Sequence, residues 1–154
     1  MKQNFDFKRN RTFITLGIFW TIIFAAMSFY WAMGGMVGVR SLGGAIYEMS
    51  LDPEPSFIVI VWLTGFVKLL GAIWLSLLLI SWRNPIIIKV FYFVTKAAGI
   101  FLFLYGLLNF ITISMSAFGL LEFDLDTHAT FWRLVFWEPF WMIGGICYFL
   151  AVKK

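Results

Sequence analysis

Charge is scarce in this chain. Only 13% of its 154 residues are Asp, Glu, Lys or Arg, against about 25% in ordinary soluble domains. Thiols are scarcer still: Cys147 is alone. That excludes an intrachain disulfide framework and any cysteine pair for redox work, and Cys147 reads as a packed small apolar residue. His128 is the single histidine, and no nucleophile–base motif accompanies it, which argues against an enzyme. The chain also lacks internal repeats, a glycine loop for nucleotides and a low-complexity linker.

Apolar residues fill the gap, at 62% of the composition, with a mean hydropathy of +0.89. Four runs, about 12–33, 57–81, 88–109 and 131–152, approach or exceed the roughly 20 helical residues that cross a bilayer. Backbone groups inside lipid must bond within their own segment, so these runs are expected to be helices. The sequence predicts an all-α integral membrane protein, a four-transmembrane-helix bundle forming a single membrane domain. The first run is too long for the apolar part of a signal peptide and lacks a clear cleavage site, so it reads as an uncleaved span.

The net charge of +4 would suit nucleic acid, but the position of the cations favours membrane topology instead. Lys2, Lys8, Arg9 and Arg11 precede the first run; Arg83 and Lys89 flank the turn between the second and third; Lys153 and Lys154 close the chain. If the runs alternate, these eight share one side, and only Arg40 and Arg133 lie opposite. Such a bias places both termini in the cytoplasm of a multi-pass protein of the plasma membrane. The short turn at 82–85 predicts that spans two and three form an antiparallel hairpin. Leu42, Ala45, Ile46 and Met49 recur at helical spacing and suggest a short interfacial helix.

Two ionisable residues interrupt the apolar runs at matching depth. Lys68 stands 15 residues before Arg83, and Glu138 stands 15 before Lys153. A charge at bilayer depth costs about 3 kcal/mol on insertion scales, so it is expected to face protein and find a partner. Thr64, Gly65, Gly71 and Ala72 share the face of Lys68, a small-residue surface suited to close helix packing. Gly17, Thr21, Ala25, Ser28, Ala32 and Gly35 form a similar stripe in the first span, expected to pack against it. A buried Lys68–Glu138 pair is therefore predicted, either as a working ligand site or as a lock on helix register. Lys96 either joins that site or snorkels toward the inner end. Pro139 removes a helical hydrogen bond and is expected to bend the last span.

In the outer loop, Glu122, Asp124, Asp126 and His128 are metal-ligand types. Their spacing matches no recognised motif, and neither metal nor cofactor is expected.

Two segments carry a family resemblance. Phe29-Tyr30-Trp31-Ala32-Met33-Gly34-Gly35, continuing to Gly38, is similar to the Tyr-Trp-Ala-x-Gly-Gly segment of a small bacterial four-helix membrane protein family catalogued as a domain of unknown function. Trp137-Glu138-Pro139-Phe140-Trp141, with Gly144-Gly145, resembles the acidic-Pro-aromatic segment of that family's last span, and Asp126-Thr127 fits the acidic pair before it. Members often carry His where this chain has Phe29. The resemblance implies a bacterial membrane protein and adds weight to Glu138, Gly34 and Gly35, without implying an activity.

Two functions follow as expectations. One is a non-enzymatic carrier or ligand- and lipid-binding bundle using Lys68, Glu138 and Lys96, with Gly34, Gly35, Gly65, Gly71 and Pro139 serving packing. The other is an accessory or immunity-type protein whose outer segments do the work. The lipid bilayer is the expected partner, joined by a second copy or another membrane protein, and nucleic acid is not.

Overall fold

Asn10, Asn84 and Asp126 open three of the long helices by capping an otherwise unbonded N–H, from Phe13, Ile86 and Ala129 respectively. The fold around these starts is known from a computed structural model that describes residues 7–121 and 125–154. Helix α1 spans Arg11–Ala32, α2 Gly44–Leu51, α3 Pro55–Leu77, α4 Pro85–Ala117 and α5 Thr127–Ala151. All except α2 are long and apolar enough to cross a membrane. Pro55 and Pro85 occupy first turns, where a missing N–H costs nothing. A single turn of 3₁₀ helix, Val39–Ser41, precedes α2.

The helices pack as a bent row in the order α3, α1, α5, α4. This corrects the expected hairpin of spans two and three. Those helices touch near their shared turn through long side chains: Trp74 Nε1 donates to Thr95 Oγ1 at 3.0 Å, and the Phe91 ring lies against Trp74 and Trp82. Their backbones do not run side by side. Small residues decide the row instead. A Cβ added to Gly99 of α4 would lie 2.5 Å from the Phe149 backbone nitrogen of α5. One added to Gly145 would lie equally close to the Phe103 nitrogen. Only glycine lets α4 and α5 approach so closely.

The stripe of α1 does face α3, as expected: Leu75 abuts Gly17, and Thr21 abuts Gly71. Ile14, Leu75, Leu78 and Val152 are fully buried where the chain ends meet. There Lys8–Arg9 and Val152–Lys153 form a two-stranded antiparallel ribbon, and Arg9 Nη1 donates to Ile80 O at 2.8 Å. Both terminal segments and the α3–α4 turn therefore share one end, the arrangement the charge bias requires.

Helix α4 is longer than its expected span, running past Asn109 to Ala117. Asn109 does not stop it, because its side-chain amide donates to Tyr105 O at 2.8 Å within the same helix. Thr112 and Ser114 return their hydroxyls to Leu108 O and Phe110 O in the same way. At 33 residues and about 1.5 Å rise each, α4 exceeds the ~30 Å hydrocarbon thickness.

Candidate functional site

The predicted Lys68–Glu138 pair does not form. Lys68 Nζ donates to Ser28 Oγ on α1 at 2.6 Å and lies 5.5 Å from the centroid of the Phe24 ring. Glu138 bonds Arg133 instead, with Nε and Nη2 reaching Oε1 at 2.8 and 2.7 Å. This is the single ion pair among the described residues. Helix α1 stands between α3 and α5, and Phe24 fills the space, packing on Trp141 at 4.7 Å and Trp137 at 6.1 Å between ring centroids. Lys68 meets this aromatic layer and goes no further.

The geometry of α5 explains why Glu138 turns elsewhere. Residues Arg133–Trp137 form a π turn, closed by the Glu138 N–H donating to Arg133 O five residues back. Pro139 has no N–H and would crowd the carbonyl of Val135 in a regular helix. One wider turn relieves that conflict, so the bend expected at Pro139 takes the form of a local widening. On a regular helix Arg133 and Glu138 would stand about 140° apart. The π turn brings them onto one face, toward α4, where Arg133 Nη2 also approaches Asn109 Oδ1 at 3.4 Å. Glu138 is only 2% exposed, and its Oε2 has no hydrogen-bond partner among the described residues.

Lys96 joins neither group. Its Nζ donates to Phe149 O at 2.6 Å and lies 3.4 Å from the centroid of that residue's ring. It thus satisfies one of the carbonyls left open at the C-terminal end of α5. Lys96 turns away from Lys68 and Glu138, toward the end of α5 that adjoins the ribbon. The three proposed ligand residues consequently occupy three separate places.

The glycines divide by role. Gly65 receives the Phe29 ring, Gly71 approaches the Tyr148 hydroxyl and Gly35 is covered by the Tyr30 ring. Gly34 has φ +89° just after α1, a conformation that disfavours any side chain. In the loop between α4 and α5, Asp126 Oδ1 accepts from the Ala129 N–H at 2.6 Å, so this carboxylate caps α5. Glu122 and Asp124 lie outside the described residues, and no metal-binding group of side chains occurs among the described ones. Cys147 is buried and free, as its apolar surroundings led us to expect.

Arg133, Ser28 and Phe24 were not singled out as partners by the sequence reading. The usable signal was Pro139 itself, since a proline deep in a helix invites a wider turn and a new i, i+5 contact.

A family model described as a protein of unknown function (DUF3995) matches residues 21–148. The chain belongs to this family. The match contains Lys68, Lys96, Arg133 and Glu138 but leaves out both strands of the terminal ribbon. No curated protein and no solved structure matches the chain.

Proposed function

We propose that this family member is a non-enzymatic, four-span protein of the bacterial plasma membrane that binds an amphiphile with an anionic head group. Its termini face the cytoplasm. Lys68 is the binding residue, and one observation carries the reading: its partly buried ammonium has a hydroxyl and an aromatic face for company, and no carboxylate within ion-pair distance among the described residues. An ammonium has three donors, and Ser28 uses one. An intramembrane cation without a counter-charge is a functional-site candidate by default, and a carboxylate or phosphate would neutralise it. Glu138 takes no part, since Arg133 already neutralises it.

The test is a melting curve in neutral detergent with increasing laurate. A saturable rise is expected in the native protein and in Lys96→Gln, and a much smaller one in Lys68→Met. If Lys68→Met responds like the native protein, the reading fails. Orientation is tested separately with single cysteines at Ser50 and Asn84 in a Cys147→Ser background. An impermeant thiol reagent applied to intact cells should label position 50 and not position 84.

A second reading, an accessory or immunity-type protein, is favoured by the outer segment. No residue of α2 is buried, and Ile46, Met49 and Leu51 are all at least 45% exposed. Under that reading, Ile46→Ser with Met49→Ser abolishes function in cells while Lys68→Met spares it.

A further inference from the structure

The terminal ribbon holds an electrostatic conflict. Lys8 and Lys153 are directly opposed in its register, and like charges so placed repel each other across a strand pair. Lys96 of α4 donates to Phe149 O, four residues before Lys153, and α4 packs against the Val152–Lys153 strand. None of the three has a carboxylate within ion-pair distance among the described residues. Arg9 adds a further positive charge at this end, with its Nη1 donating to Ile80 O.

An apolar groove adjoins the Lys96 ammonium. It runs between α4 and α5, with Gly99 and Gly145 where the helices cross, and Ile100, Phe103, Ile146 and Phe149 along its walls. Its volume of about 370 Å³ falls within the range of ligand clefts, roughly 300–1,000 Å³. Phe149 belongs both to the groove wall and to the Lys96 contact, so apolar slot and cationic mouth are continuous.

We propose that this groove holds one acyl chain of an anionic phospholipid, whose phosphate is bound by Lys8, Lys96 and Lys153. The phosphate offsets the repulsion in the ribbon, and the chain covers the crossing of α4 and α5. This lipid fastens the chain ends to the bundle and is independent of Lys68.

The experiment measures melting of the full chain in neutral detergent with added phosphatidylglycerol, phosphatidylcholine or inorganic phosphate. Phosphatidylglycerol should raise the midpoint in a saturable manner, whereas phosphatidylcholine and inorganic phosphate should not. A lysine near an anionic head group contributes about fivefold in affinity, so Lys8→Gln with Lys153→Gln should weaken half-saturation by about 25-fold. Ile146→Trp, which fills the groove and leaves every lysine in place, should weaken it as well. In a Lys68→Met background phosphatidylglycerol should still raise the midpoint, and Lys8→Gln with Lys153→Gln should still weaken that response. An equal response to phosphatidylcholine or phosphate, or an unchanged response in the double-lysine variant, overturns the proposal. If laurate binding at Lys68 fails while this response persists, the central reading falls and the groove stands.

Discussion

Glu138 and Lys68 are both charged residues within long apolar helices, yet they are treated in opposite ways. Glu138 is almost fully buried, and a π turn in its own helix delivers Arg133 to it in a two-pronged contact. Lys68 is partly buried on a neighbouring interface and receives one serine hydroxyl and a phenylalanine ring. Neutralised from within its own helix, the first charge locks α5 in shape and holds it toward α4. The second has no carboxylate partner among the described residues, and the proposed ligand rests on that difference.

The largest expected effect comes from breaking the neutral pair. Arg133→Met leaves a buried carboxylate uncompensated, which typically costs 3–5 kcal/mol, whereas removing both charges is often close to neutral. Chemical denaturation in detergent should therefore find Arg133→Met far less stable than Arg133→Met with Glu138→Leu. A double variant as unstable as the single one would mean the π turn, not the charge pair, carries the stability.

Next in size is the glycine crossing that sets the order of the helices. Gly145→Ala forces a Cβ against the Phe103 backbone nitrogen, and overpacking of this kind costs about 1–3 kcal/mol. Gly71→Ala meets the Tyr148 hydroxyl and a Thr21 methyl instead, both on side chains that can yield, and its loss should be smaller. Equal losses would show that the α1–α3 contact is as tight as the α4–α5 crossing.

Smaller still is the effect of the unpaired charge on stability. Lys68→Met removes one hydrogen bond and strands no carboxylate among the described residues, so its cost should stay within about 1.5 kcal/mol, the usual range for such a bond. A loss as large as that of Arg133→Met would place a hidden counter-charge beside Lys68 and end the contrast.

Much of the fold was legible before any coordinates. Apolar run length located the four long helices, because lipid-length segments allow little else, and the cap at Asn10 put α1 within a residue of its expected limits. The face of Lys68 was readable from Gly65, Gly71 and Ala72, since small residues at i−3, i+3 and i+4 mark a close neighbour. The helix order was not, because a short α3–α4 turn says only that two helices are consecutive. Backbone contact at Gly99 and Gly145 decides which helices pack, and a sequence does not reveal which glycines meet. The charge partners were missed for a local reason. Arg133 and Glu138 are five apart, a spacing that faces away on a regular helix, and only the turn forced by Pro139 makes them neighbours. The extension of α4 beyond Asn109 was missed because a polar side chain there looked like an end. It bonds to its own helix instead.

The segregation of the two charges is most directly tested by a double-mutant cycle joining Lys68→Met and Glu138→Gln, read by denaturation midpoint and slope in neutral detergent. Sites without shared partners add within about 0.5 kcal/mol, whereas contacting groups couple by up to about 3 kcal/mol. Here the two changes should be additive, because Phe24 and helix α1 stand between the groups. A coupling above 1.5 kcal/mol, close to that of Arg133 with Glu138 in the same detergent, would contradict it.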